Sequence, residues 1–230
     1  MRKKKKDAKW SYKDHGFVYD IENVKNEYKH KVRGKWALKK EYRIIYFAWR
    51  QIAQRTTDPE TQAKFPTYKD TWVCEEWKYF SNFLNWCLAN GYRKGLCLDK
   101  DIVDIGNKCY SPDACVFVSK AVNNLLIYKK SKKSDLPTGV RYQEFNGEGY
   151  KRKKPYQVLF SINGKEEHIG RYATSEEAGL VYGREKSKHI IHKANNLTEA
   201  DCSLVHFDKV RGALINHAKS LVEYTQSMYA

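Results

Sequence analysis

Apolar residues recur at helical spacing in several stretches of the chain. In EYRIIYFAWRQIAQR, Tyr42, Ile45, Tyr46, Trp49, Ile52 and Ala53 fall on one side, predicting an amphipathic helix from about Glu41. In EEWKYFSNFLNWCLANG, Trp77, Phe80, Phe83, Leu84, Cys87 and Leu88 do the same, and Asn90-Gly91 supplies a stop. Helical spacing assigns Trp77 and Trp86 to packing rather than to stacking on a ligand. The segment between these helices contains Pro59 and Pro66 and reads as a loop. Leu96 to Val103 alternates like a strand, Cys115 to Val118 is a short strand, and Ala121 to Tyr128 reads as a helix.

The second half has a different rhythm. Gly139 to Phe145, Tyr156 to Ile162 and Glu167 to Tyr172 read as three strands. Asn163-Gly164 between the last two is the strongest hairpin signal in the chain. Thr174-Ser175-Glu176-Glu177 opens a helix with a capping residue and early carboxylates, running to about Ile191. One or two further helices complete the chain. The fold class expected is α+β.

Charge narrows the partner. Lys and Arg number 43 against 27 Asp and Glu, a formal net charge of +16. Such a surplus attracts polyanions over long range. No apolar run approaches the roughly 18 residues of a membrane span, and no apolar stretch follows the basic MRKKKK start, so no secretory signal is read. Nucleic acid is therefore the expected partner, and no membrane role is expected. The first forty residues carry 14 Lys and Arg against 5 Asp and Glu and read as a basic arm. The KKSKK run, Lys129 to Lys133, reads as a linker extending to residue 136. The six cysteines have no Cys-x-x-Cys pair, so reduced, mostly buried thiols are expected.

Alternation gives the three-stranded segment two faces. Tyr156, Val158, Phe160 and Ile162 share one, with Ile169 in the next strand, and are the core candidates. Gln157 and Ser161 lie opposite, with Arg141, Gln143 and Arg171 as companions. Arg reads guanine and Gln reads adenine in bidentate fashion. Lys151, Arg152, Lys153, Lys154 and Lys165 suit phosphates, which set register without reading sequence. His168 is expected to face DNA or to pack. A solvated basic hairpin on an ordinary domain is the alternative.

The residues Gly139-Val140, Lys151 to Tyr156, Ile162 to Lys165, Ile169 to Tyr172 and Ser175 to Ala178 with Tyr182 give Leu136 to Ile191 a resemblance to the ERF-type (Apetala-two) DNA-binding module. The resemblance implies a three-stranded sheet in the major groove of double-stranded DNA, with a helix behind it.

A second resemblance covers about Glu41 to Lys130. The strings VCEEWKYFSNFLNWCLANGY, GLCLDKD and GNKCYSPDACVFVSKAVNN resemble the HNH (His-Me finger) endonucleases of phages, including homing endonucleases. That implies a ββα finger holding one divalent ion, Mg²⁺ or Mn²⁺, for phosphodiester hydrolysis in an infected bacterial cytoplasm, with no small-molecule cofactor. By resemblance the acidic ligand falls on Asp99, the catalytic His on Lys100, the loop Asn on Asn107, and the helix ligand on Asn123 or, second, Asn124. Lysine is protonated at neutral pH and a poor base unless buried. Asp101 lies two residues beyond Asp99, on the same face if the strand continues, and is the substitute base or second ligand; Asp104 is a weaker one.

The expected order is a basic arm (1–40), an HNH-like domain (41–130), a linker (131–136), an ERF-like module (137–192) and a helical tail (193–230). Three functions stay open: a metal-dependent, site-directed DNA endonuclease; an HNH-derived repressor or site-occupying protein without cleavage; and a protein-interaction role for the tail or the aromatic helices.

Overall fold

The computed structural model describes residues 10–126, 135–162 and 165–229, without the side chains of 162 and 165. The first nine residues, the KKSKK linker and the Asn163-Gly164 turn lie outside the described residues. The chain is mixed helix and strand, an α+β protein, and divides into two compact units, Met1–Phe117 and Val118–Ala230.

The first unit is built on aromatic packing. Helix α1 (Arg43–Thr57) crosses α3 (Phe80–Ala89), and Ile45, Trp49, Ile52, Trp77, Phe80, Phe83 and Leu84 are fully buried between them. Trp49 Nε1 donates to the Trp77 carbonyl at 2.6 Å, so the indole packs without leaving its N–H unpaired. Residues 10–40 do not form an arm. They hold three single-turn 3₁₀ helices and a hairpin, β1 (Lys29–Val32) with β2 (Lys35–Leu38). Phe17, Val24 and Leu38 are buried in the same core, each worth roughly 1.5–3 kcal/mol. Val18 N donates to the Lys78 carbonyl at 2.9 Å, and Asp20 accepts from Ser81 N at 2.9 Å and Ser81 Oγ at 2.5 Å. Excess charge at exposed positions masked these few apolar anchors.

The stretch read as a loop contains helix α2 (Pro59–Lys64). Pro59 stands at its first position, where a missing N–H costs nothing, and Asp58 caps it by accepting from Glu60 N at 3.2 Å. Beyond it, β3 (Trp72–Val73) runs parallel to β5 (Cys109–Tyr110). Strand β4 (Leu96–Asp99) pairs with β6 (Val116–Ser119), whose first two residues close the unit.

The second unit opens on the end of β6 and helix α4 (Lys120–Leu125), capped by Ser119 Oγ accepting from Val122 N at 3.2 Å. Val118 bridges to Cys202, and Ser119 N donates to the Asp201 carbonyl at 2.6 Å. The start of the helix expected within 41–130 is thus tied to the segment read as tail.

Strands β7 (Val140–Tyr142), β8 (Tyr156–Ile162) and β9 (Lys165–Tyr172) form one antiparallel sheet in that order. Helix α5 (Ser175–Asn195) covers one face, burying Val140, Val158 and Phe160 against Ala178 and Tyr182, with Tyr156 and Ile169 packed around them. Thr174 Oγ1 caps α5 by accepting from Glu177 N at 3.1 Å, and Glu177 returns by accepting from Ala173 N at 3.2 Å. Gly139 enters β7 at φ +76, where a Cβ would overlap the Tyr182 ring. Helix α6 (Phe207–Tyr229), read as tail, lies along α5. The contact is close because two glycines one turn apart face it. A Cβ on Gly179 would sit 2.9 Å from the Tyr229 ring, and one on Gly183 would overlap Thr225.

Candidate nucleic-acid interface

Register brings the predicted reading residues together. Arg141 pairs with Gln157 and Gln157 with Arg171, so the three form one row across β7, β8 and β9. Their neighbours Val140 and Val158 point into the core, which sets the row on the face away from α5. Gln143 follows β7, held by its N–H donating to the Pro155 carbonyl at 2.9 Å. Arg171 donates through Nη2 to Gln143 Oε1 and to Gln157 Oε1, the latter at 3.3 Å.

The two arginines differ. Arg141 donates to Glu166 Oε1 at 2.6 Å, an exposed ion pair on the same face. Arg171 has amide oxygens as partners, and among the described residues no carboxylate pairs with it. Its Nη1 is enclosed and makes no hydrogen bond. Desolvation of the guanidinium and the charge of Arg152 both disfavour its protonated form. The unpaired N–H is therefore a cost of this arrangement, and a small side-chain rotation is needed before an acceptor can reach it.

A bulge shapes the far half of the sheet. Val158 pairs with Gly170 and Leu159 with His168, leaving Ile169 extra and turned toward the core. His168 is exposed on the Arg171 face, as is Glu166 opposite Ser161.

The basic run 151–154 lies on the return arm of a side hairpin rather than in a strand. The first strand stops at Tyr142, and Phe145 bridges to Lys151 around a tip where Asn146 Oδ1 accepts from Glu148 N at 3.0 Å and Tyr150 N at 2.8 Å. Lys151 pairs with Glu144 at 3.2 Å, and Arg152 Nε donates to the Phe145 carbonyl at 3.1 Å. Lys153 and Lys154 are exposed, with no carboxylate partner among the described residues. The side chain of Lys165, at the start of β9, lies outside the described residues.

The residues carried over from the nuclease resemblance sit in a loop that satisfies itself. Strand β4 ends at Asp99, and Asp99 Oδ1 accepts from Asp101 N and Ile102 N, both at 2.8 Å. That turn takes Asp101 off the strand, so the same-face pairing of Asp99 and Asp101 does not form: a short carboxylate that caps its own backbone ends the alternation. Lys100 is buried, and its Nζ donates to Asp101 Oδ1 and to the Asn107 carbonyl, each at 2.5 Å. Asn107 Nδ2 donates to the Lys100 carbonyl at 3.0 Å and the Cys109 carbonyl at 2.7 Å, while its Oδ1 accepts from Cys109 N at 3.0 Å. Burial raises the Asp99 carboxyl, against the lowering pull of the Ile102 and Asp101 N–H groups. The Asp104 carbonyl accepts from Asn107 N at 3.1 Å, closing the same loop.

This donor set does not fit a divalent ion. One Asp99 oxygen accepts two backbone N–H groups, Asp101 is already neutralised by a buried ammonium, and Arg55 is a further cation acting on Asp99. Among the described residues no three His, Cys, Asp or Glu side chains cluster for a metal. Asn123 is half-buried and Asn124 exposed. No catalytic step is assigned to these groups.

Among the described residues no helix is long and apolar enough to cross a membrane. Comparison of the chain with protein-family models, with characterised proteins and with solved structures gave no match in any of the three.

Proposed function

We propose that the chain is a double-stranded DNA-binding protein whose second unit lays the outer face of β7–β8–β9 in the major groove and which holds its site without cleaving it. One observation carries the reading: Arg141, Gln157 and Arg171 stand in register on the face the helix leaves uncovered. A short twisted ribbon fits a major groove about 12 Å wide, and Arg and Gln are the side chains that address guanine and adenine edges bidentately. Arg171 and Gln143 meet base edges, Arg141 exchanges Glu166 for DNA, and Lys153 and Lys154, with Lys151 and Arg152, hold phosphates. Phosphate contacts give affinity and base contacts give preference. The endonuclease reading rests on the HNH resemblance alone, and the Asp99–Asn107 loop offers it neither a free base nor an open ligand set.

Anisotropy titrations of the full chain on several duplexes in dilute buffer test the binding, and plasmid incubated with Mg²⁺ or Mn²⁺ tests cleavage. A shift with intact plasmid is the expected result. Metal-dependent nicking that disappears in Asp99→Ala overturns the non-catalytic part, and absence of binding at low salt overturns the whole.

A further inference from the structure

A second strongly cationic surface lies in the first unit. Between Glu27 and Glu41 the chain carries no acidic residue and six Lys or Arg. This stretch forms the β1–β2 hairpin, in which Lys29 pairs with Leu38, His30 with Ala37, Lys31 with Trp36 and Val32 with Lys35. Its root is anchored and its tip is exposed. Lys29 and Leu38 are buried, and Lys29 Nζ donates to the Ile21 carbonyl at 3.2 Å and the Glu22 carbonyl at 2.7 Å. Every residue from His30 to Trp36 is exposed. The turn is Arg33-Gly34 with φ of +50 and +77, the two-residue hairpin geometry that favours Asn-Gly. An arginine at its first position sets a guanidinium at the apex. Among the described residues Lys31, Arg33 and Lys35 have no carboxylate partner. Lys29 Nζ and Lys31 Nζ lie over the Trp36 ring, 4.6 and 5.3 Å from its centre. The aromatic ring thereby steadies Lys31, while Lys35, paired with Val32, extends from the opposite face of the hairpin.

We propose that the β1–β2 hairpin is a second, sequence-independent DNA contact in which Lys31, Arg33 and Lys35 grip backbone phosphates. The identity of the polyanion rests on the DNA-binding reading above. A duplex suits the hairpin better than a lipid surface. Interfacial anchors present apolar side chains outward, whereas this tip offers Val32 alone and a Trp36 ring with ammonium groups over it. A ribbon tip carrying three unpaired cations matches closely spaced phosphates.

The test is the salt dependence of duplex binding by the full chain and by Lys31→Gln/Arg33→Gln/Lys35→Gln. Each phosphate contact contributes about 0.9 to the slope of log affinity against log salt. The triple variant should lower that slope by about 2 to 3 and keep the wild-type ranking of duplex sequences. An unchanged slope, with wild-type binding intact, overturns the hairpin and leaves the sheet reading standing; no duplex binding by the wild type overturns both. Loss of binding to phosphatidylserine vesicles with an unchanged DNA slope also overturns the proposal, in favour of a membrane surface. Should the triple variant lose its native far-UV dichroism, Arg33→Gln alone decides, with an expected fall of about 0.9.

Discussion

Two polar clusters in this protein look alike in sequence and differ in what their hydrogen bonds do. In the loop from Asp99 to Cys109, carboxylate, ammonium and amide groups all bond to backbone or to each other within a few residues. On the outer face of β7–β8–β9, the polar groups come from three strands, meet each other side by side, and leave Arg171 Nη1 unpaired. A cluster that closes its own loop is needed for folding. A cluster displayed on a sheet supported from behind is available to a ligand. The difference predicts opposite consequences for substitution in the two places.

The largest effect should come from neither cluster but from the packing that presents the second. Gly183 lets α5 approach α6 at Thr225, which itself donates to the Leu221 carbonyl at 3.0 Å. Gly183→Leu forces the helices apart and should cost about 3 kcal/mol. All six Trp residues lie at or before Trp86, in the first unit, while α5 and α6 belong to the second. Urea unfolding followed by helical dichroism should therefore shift, and unfolding followed by Trp fluorescence should not. Coincident shifts would mean that the two units unfold together.

Next is Asn107→Ala. The change removes three hydrogen bonds and strands the Cys109 N–H and the Lys100 and Cys109 carbonyls, so a loss of about 2 kcal/mol is expected. Here the Trp fluorescence transition should move and duplex affinity should hold within about twofold. Normal stability with impaired DNA binding would place this loop in the interface and undo the contrast.

Arg171→Ala should behave in the reverse way. An exposed-face residue without a carboxylate partner contributes within about 0.5 kcal/mol to folding, whereas a bidentate base contact discriminates by about 1–3 kcal/mol. Affinity for the preferred duplex should fall about tenfold or more, with little change on others. A uniform loss across duplexes would move Arg171 into the phosphate-gripping set with Lys153 and Lys154.

The sheet face was legible in the sequence because strand alternation is a short-range rule. Once Asn163-Gly164 marks a hairpin, Tyr156, Val158 and Phe160 take one side and Gln157 the other, and register aligns Arg171 with Gln157. The Thr174 cap was legible for the same reason. The loop was not. Alternation carried through Asp99 to Asp101 predicts a shared face, yet an Asx side chain competes with the strand for backbone N–H groups. Nothing local marks Phe17, Val24 and Leu38 as core anchors within a basic stretch, or Gly179 and Gly183 as the contact for Tyr229 and Thr225 on a later helix. Those depend on partners distant in sequence.

The smallest effect is a pH dependence confined to the second unit. His189 packs edge-on against Phe160, with ring centres 5.1 Å apart, directly behind the sheet. Burial lowers its pKa from 6.5, and His192, Lys186 and Lys193 add to the shift while Glu167 opposes it. His206 is lowered from 6.5 too, by burial and then by Lys209. The unfolded chain therefore takes up these protons before the folded one does. Their contribution is complete above pH 6.5 and is lost as pH falls through the depressed folded values. The urea midpoint read by helical dichroism should drop between pH 7 and pH 5.5, and His189→Gln should flatten that drop without altering the Trp fluorescence midpoint. A midpoint that stays level or rises on acidification would mean that His189 meets a compensating anion behind the sheet, and the support for the outer sheet face would then have to be electrostatic rather than apolar.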